Sequence, residues 1–463
     1  MAIIADTLAL IKSNPLALLG GAERVNQYFA DAGHAWRDCV LTPAVTMKLF
    51  ILQVLHGNTA ISHLRHLSGI DVANSTYCEA RARLPLAGVA AAVAELSCNG
   101  GRSIEDAAKW LGRRIFMTDA TAVTAPDTPE LQKIWPQPAA QKEGCGFPAI
   151  KLLALMNLAT GMIVQLSMMC LNVHEMSQLA GPHAGLRRGD VLLGDRAFCS
   201  FAHLVLLAAM SVDAVFRTHQ AQIIDFTPHR PHRRRKGEKR KGDRGVKGYE
   251  KGLPTSRFVR RLGQEDQIVE WTRPANRPVW MNETEYAALP QTLEVRELRY
   301  RITMRGMRTR VVCITTTLLD PMRYSKREIA SLYGLRWEIE TNFRHLKTTM
   351  KMAQLKCQSP DGVMKELMIF VLVYNMVRAA MMHAAQHQGI DDANRISFID
   401  TMRWLCSILA EPPTRLMPEI IVNRSRKGRW CPRVLKRRPK EYDRMNKPRS
   451  EYTEPRADEG VMN

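Results

Sequence analysis

Residues 325–352 read SKREIASLYGLRWEIETNFRHLKTTMKM, and the rest of the chain is best read outward from this stretch. Ser325 precedes the helical run with Glu328 three positions on, the pattern of a capping box. At 100° per residue, Leu332, Leu335, Ile339, Phe343, Leu346 and Met350 fall on one stripe, which predicts one long helix with a buried face. Tyr333, Arg336, Glu340 and Lys347 gather on a second face roughly 100° around the axis. An acid, two cations and a phenol on the flank of a buried helix are usually no more than a solvated surface. They become a site only if Glu340 has acidic partners elsewhere.

Two such partners follow apolar, strand-like runs. The segment RRIFMTDA (113–120) brings a short strand to Asp119, and VLLGD (191–195) brings another to Asp195. A carboxylate at the end of a buried strand is costly unless it is paired or holds a metal. Three carboxylates from two strand ends and a helix suit a pair of hard divalent cations, magnesium or manganese as its substitute, rather than zinc. Two such ions are the usual means of activating and releasing the oxygens of a phosphodiester. Arg336 and Lys347 beside Glu340 supply the cations that a phosphate backbone needs.

The surrounding texture predicts an α/β core over 109–218. Ala149–Met156 and Met162–Met169 form a hairpin through Asn157–Gly161, and a helix (201–210) leads to the strand 212–218. After Thr218 the alternation breaks. A basic, Gly- and Pro-containing loop (229–251) is followed by β-like runs at 268–271, 293–300 and 310–316. The expectation is therefore a β-rich insertion (219–308), resumption of the core with its helix (309–385) and a C-terminal basic region (386–463). Residues 1–108 read as helical. Thr42-Pro43 opens an amphipathic helix, Asn58 caps a second that ends near Gly69, and Asn74 caps a third carrying Arg81 and Arg83. Three short helices of this kind suggest a helix-turn-helix and hence an N-terminal DNA-binding domain.

Charge selects the partner. The formal net charge is +21, and residues 230–251 and 424–449 together carry +18 of it. Two basic segments on a nearly neutral body favour a polyanion. The longest apolar run, Leu367–Val373, is short of the ~20 residues of a membrane span, so nucleic acid outranks a membrane as partner. Ten scattered cysteines without a CxxC pair argue for neither a zinc knot nor a disulfide framework, and they suit a reduced cytosol. His174 and His183 read as ordinary polar residues. Tyr374, Asn375 and Arg378 read as supports from an apolar helix.

The spacing Tyr333-x2-Arg336-x3-Glu340-x6-Lys347 resembles the YREK signature of the insertion-sequence-four family of DDE transposases. Asp195-Arg196-Ala197-Phe198 is similar to that family's second-acid motif, and Thr118-Asp119-Ala120-Thr121 to its first. The resemblance extends over roughly residues 45–445 and includes the stretch from Ser75 to Pro85. It implies an RNase H-like core with a β-rich insertion between the second Asp and the Glu. It implies Asp119, Asp195 and Glu340 as metal ligands for cleavage and strand transfer. It also implies Tyr333, Arg336 and Lys347 as contacts to transposon-end phosphates, with a homodimer on the inverted repeats and target DNA. The basic cluster Arg233, Arg234, Arg235 and Lys236 is expected on the DNA as well. Some relatives use an aromatic wedge to hold a flipped base. The corresponding strand here, Arg310-Val311-Val312, has no aromatic residue, which leaves Trp271 or Trp280 as substitutes. A nuclease with the same core and a catalytically dead repressor are the two alternatives, and the three intact acids speak against the second.

Overall fold

The computed structural model describes residues 14–99, 105, 108–233, 252–301, 311–407 and 442–452. Arg234, Arg235 and Lys236, and most of both basic segments, lie outside them, as does Arg310.

The apolar runs form β1 (Ile115–Thr124), β2 (Ala149–Asn157), β3 (Ile163–Cys170), β4 (Val191–Gly194), β5 (Asp213–Arg217), β6 (Arg257–Gly263), β7 (Asp266–Thr272), β8 (Thr292–Arg301) and β9 (Val311–Thr316). All are hydrogen-bonded into one sheet of order β3-β2-β1-β4-β5-β9-β8-β7-β6. The pairs β1–β4 and β4–β5 are parallel, and the rest of the sheet is antiparallel. The chain is thus a mixed α/β protein, as expected. The strands of the β-rich stretch continue the core sheet, with β9 pairing directly onto β5. Among them β6 and the short helix Glu283–Ala288 escaped the reading of the sequence.

The expected hairpin is present. Asn157 turns it by accepting at Oδ1 from the Ala159 and Thr160 N–H groups, at 2.9 and 3.2 Å. Gly161 completes the turn at φ 67°, and a Cβ there would collide with the Arg378 guanidinium. One expectation fails at β1: Asp119 does not end the strand. It is the fifth of ten residues, because Thr121, Val123 and their neighbours keep pairing with β2 as far as Thr124.

Side-chain alternation divides the sheet into two faces. Met117, Ala154, Leu193, Val215, Leu298 and Ile314 join one core. Phe116, Leu155, Leu192, Phe216, Val269 and Val295 join the other, with Phe201, Leu204 and Leu207 of helix 201–209.

The first face is covered by the N-terminal helices α1 (Gly21–Asp31), α2 (Pro43–Leu55) and α5 (Leu86–Asn99) and by later ones, whereas α3 (Leu64–Ser68) and α4 (Asn74–Arg83) pack on α2 in a cluster of their own. Thr42 caps α2, its Oγ1 accepting from Val45 N at 3.3 Å, with Pro43 in the first turn. Helix α2 is buried almost all round rather than amphipathic, because it packs between its neighbours in the bundle. Asn58 does not cap α3. It sits at φ 53° and donates from Nδ2 to Glu366 Oε1 at 2.7 Å, which ties the bundle to the core. Nor does Asn74 cap α4. It is the first helical residue, after Ala73. Gly69 ends α3 as expected, at φ 68°.

The stretch quoted first is helical throughout but changes winding twice. It runs as α6 (Lys326–Gly334), a 3-10 turn (Leu335–Trp337), α7 (Glu338–Arg344) and a π turn (His345–Thr349). The capping box at Ser325 and Glu328 is formed. The 3-10 turn overwinds the chain and the π turn underwinds it. The predicted stripe therefore fails at one position: Leu335 is 47% exposed and Arg336 takes its place, 7% exposed, in line with Leu332, Ile339, Phe343, Leu346 and Met350. The helix α8 (Pro360–His387) follows. It is apolar and long enough to cross a membrane, but 89% of its apolar window is buried inside the fold, where it packs on α2 and α5. From it Tyr374 Oη donates to Gly161 O (2.9 Å) and Arg378 Nε to Thr160 O (2.9 Å). Asn375 bonds both Ile163 N and Ile163 O at 2.9 Å. These residues clamp the β2–β3 hairpin at its turn.

Candidate active site

Parallel register brings the two aspartates together. Met117 pairs with Leu193, so continuing two residues along each strand sets Asp119 beside Asp195, both on the face of Met117 and Leu193. From here β1 leads to one side of the sheet and β4 to the other, which makes this edge a switch point of the kind where open α/β sheets bind ligands. Asp195 is held by its own turn, its Oδ1 accepting from Ala197 N at 2.8 Å.

The helix supplies the third acid and a cation between the acids. Helix α7 packs on β1. Arg336 reaches from Nη1 to Asp119 Oδ2 at 3.4 Å and from Nη2 to Glu340 Oε1 at 3.3 Å, so a single guanidinium spans the gap between two of the three acids. Its side chain is 8% exposed, against 23% for Asp119 and 48% for Glu340. The ring of Trp337 lies 5.1 Å from the guanidinium and that of Tyr333 5.9 Å, which offsets part of the cost of burying the charge. Arg336 Nε is buried without a hydrogen-bond partner.

Burial raises the Asp119 carboxyl to about pKa 6, opposed by the Ala120 N–H and the Arg336 charge and reinforced by the negative charges of Asp195 and Glu340. The three acids therefore sense one another. A buried carboxylate held above its ordinary range in a cleft is a mark of a functional group. Tyr333 is also pushed up by burial, and its hydroxyl feels Arg336, Arg217, Tyr300 and Asp195.

Arg217 and Tyr300 were not singled out from the sequence. Gly194 pairs with Phe216, so Arg217 stands beside Asp195, on the same face as Val215. The polar residue ending an apolar strand was the available signal, the same one that drew attention to Asp195. Tyr300 lies two strands further across, opposite Val312, and burial raises its hydroxyl to about 12. It had no local signal, because its place depends on β8 joining this sheet. Arg296 fixes that junction. It donates from Nε to Asp266 Oδ1 (2.8 Å) and from Nη1 to Tyr324 O (2.7 Å), just before α6 begins.

Lys347 lies in the π turn, next to Thr348 and Lys351 in a groove beyond the acids. Arg233 is exposed and bonded through its backbone N–H to Pro254 O at 2.9 Å. Trp271 is 4% exposed and donates from Nε1 to Glu297 Oε1 at 3.1 Å, so it is a core residue and unavailable to stack on a base. Trp280 is partly buried between two apolar clusters. Arg449, one of the C-terminal basic residues, is used internally: it pairs with Asp127 at 2.9 Å.

Among the described residues, no three acidic, histidine or cysteine side chains stand close enough to hold a metal as they are. The donor chemistry nevertheless fits a hard cation: three carboxylates, with a guanidinium already between two of them.

A family model described as a transposase DDE domain matches residues 110–376, a span that contains all three acids. The transposase InsG for insertion sequence element IS4 of Escherichia coli (strain K12) is 27% identical over 351 residues, which cover 72% of this chain and 70% of that one. A solved structure of the piggyBac transposase synaptic complex with hairpin DNA is similar over 89% of this chain and 83% of its own, at 9% identity and a TM-score of 0.41, a likeness too slight to bear on topology or site.

Proposed function

Since the chain belongs to the transposase DDE domain family, we propose that it cleaves the ends of an insertion sequence and joins them to target DNA, with Asp119, Asp195 and Glu340 as the metal-holding acids. The observation that supports this reading is Arg336 bonded to both Asp119 and Glu340 at the β1–β4 switch point, where the parallel register leads β4 to Asp195. The strand order β3-β2-β1-β4-β5, antiparallel and then parallel, supports an RNase H-like core. Bound to these carboxylates, a pair of magnesium ions, or manganese in their place, would activate the attacking oxygen and stabilise the leaving one.

The chain's own residues do the rest. Arg336 and Arg217 flank Asp195 and present guanidinium groups suited to a phosphate beside the acids. Arg336 must leave Asp119 and Glu340 for them to take a metal, and a phosphate arriving with the DNA offers it an anionic partner. Tyr333 packs beneath Arg336 and sets its direction. Lys347 meets the backbone further along. The helical residues 1–108 would bind the terminal inverted repeats, and the two basic segments, including Arg233, Arg234, Arg235 and Lys236, would add contacts to phosphates in a homodimer on DNA. This work would take place in the cytoplasm, at the nucleoid.

The test is the purified protein with magnesium and a supercoiled plasmid that carries the gene with its flanking DNA. Release of the element and joining to a second plasmid are expected. Nicks without joining would make it a nuclease, and binding without either would make it a repressor.

A further inference from the structure

The groove that continues from the acids has more polar lining than Lys347 alone. The second half of β1 (Ala122–Thr124), the π turn and the segment 353–355 enclose a space of about 400 Å³, lined by Lys347, Thr348, Lys351 and Gln354 and closed on one side by Tyr442 and Asp443. Its floor is firm. Thr124 N donates to Ala353 O at 3.0 Å and Leu355 N to Thr124 O at 2.9 Å. Lys351 is held at φ 64°, a conformation that L residues rarely adopt, with the end of its side chain, Nζ included, beside the turn at Gly57. A strained residue kept in place by its surroundings is a reason to look for a function there.

The groove already holds an anion. The segment 442–452 returns to the core as a strap. It is anchored by Met445 N to Cys145 O (2.7 Å), by Arg449 N to Gly144 O (2.9 Å) and by the Arg449–Asp127 pair. At its start the Asp443 carboxylate accepts from Gln354 Nε2 at 3.0 Å, in the groove that the two lysines line. A carboxylate bonded to an amide in a groove that two lysines also line occupies the kind of place that suits a phosphate oxygen. The groove lies on the same two elements as the acids: three residues along β1 from Asp119 and eight along the helical stretch from Glu340, each about 10–12 Å. That is close to the span of two backbone phosphate steps, each longer than the axial rise of about 3.4 Å.

We propose that this groove is a second subsite for a DNA backbone phosphate, about two steps from the bond that is cut, with Lys351, Thr348 and Gln354 as its donors and Asp443 as the anion the phosphate displaces. The proposal rests on the reading of the chain as a DNA-cleaving enzyme. It adds a contact that Arg336 and Lys347 do not make, and it gives the C-terminal strap a part in DNA entry.

The test uses the full chain, a fluorescent 40-base-pair duplex of arbitrary sequence, EDTA, and salt from 0.05 to 0.2 M. Lys351→Gln should bind more weakly than the wild type, with a log–log salt slope shallower by about 0.9, which is about a threefold difference over that range. Asp443→Asn should bind about twofold more tightly at low salt, an advantage that fades at high salt. Glu451→Gln, further along the strap, should match the wild type. Damage to the fold would weaken every variant, so the opposite signs are the signature. Wild-type affinity and slope in Lys351→Gln, or an unchanged or weaker Asp443→Asn, would overturn the groove while wild-type binding stands. A wild type that fails to bind the duplex would overturn the functional reading and the groove with it.

Discussion

The sheet edge and the helical stretch that faces it build the two halves of the site by different means. On the sheet, the parallel register of β1, β4 and β5 leads toward Asp119, Asp195 and Arg217 on neighbouring strands. On the helical stretch, Tyr333, Arg336, Glu340 and Lys347 are set by a chain that overwinds at Leu335–Trp337 and underwinds at His345–Thr349. A ladder of hydrogen bonds leaves register little freedom. A helix can trade winding at one turn against another, and here Arg336 is buried and Leu335 exposed although an ideal wheel sets the two about equally far from the centre of the apolar stripe. Placement by the sheet is rigid, and placement by the helix is paid for by burying a charge.

The largest expected effect sets the sheet half against DNA affinity. Asp195→Ala should lower the rate of strand cleavage by 10³-fold or more and leave DNA binding within about threefold, because ligands of the reaction serve chemistry whereas phosphate contacts dominate affinity. Cleavage at the wild-type rate by that variant would remove the sheet edge from the site.

Winding is tested next. Ile339→Ala should cost about 2–4 kcal/mol of unfolding free energy in urea, since Ile339 is fully buried. Leu335→Ala should cost under about 0.5 kcal/mol, since Leu335 is 47% exposed. Equal losses would restore the ideal wheel and undo the account of the two turns.

The smallest effect concerns the cost of the Asp119 charge. Its carboxyl is raised in the folded protein to about 6, chiefly by burial. The fold therefore holds this proton more tightly than the unfolded chain does, and Asp119 loses stability for the fold as pH rises from about 4 through 6. Asp119→Asn should stabilise the metal-free protein at pH 8 by about 1 kcal/mol, after discounting for partial exposure, and should match it at pH 4. A destabilised variant at pH 8 would mean that the Arg336 pair outweighs burial.

Much of this was legible in the chain, and the gaps share a cause. The hairpin, β4 ending at Asp195, the capping box at Ser325 and the end of α3 at Gly69 follow from local chemistry. What escaped depends on partners distant in sequence. Asp119 reads as a strand end because the apolar run stops at the acid, and only pairing with β2 carries the strand on to Thr124. The stretch 219–308 reads as an insertion, and nothing local says that its strands β8, β7 and β6 extend the core sheet beyond β9. Leu335 was read as core because the reason for burying Arg336 instead is the two acids that it meets. Asn58 was read as a cap because its partner, Glu366, is 308 residues away. Residue types named the chemistry, and pairing across the sheet supplied its arrangement.

The central claim is that Asp119, Asp195 and Glu340 form one metal centre, with Arg336 as the internal cation between Asp119 and Glu340 until a metal and DNA arrive. Titration of manganese into the metal-free protein, followed by the electron paramagnetic resonance of the free ion, tests it most directly. Asp195→Asn should weaken manganese binding ten- to a hundredfold, and Arg336→Gln, which removes the competing cation, should strengthen it. Wild-type manganese affinity in Asp195→Asn together with weaker binding in Arg336→Gln would contradict the account.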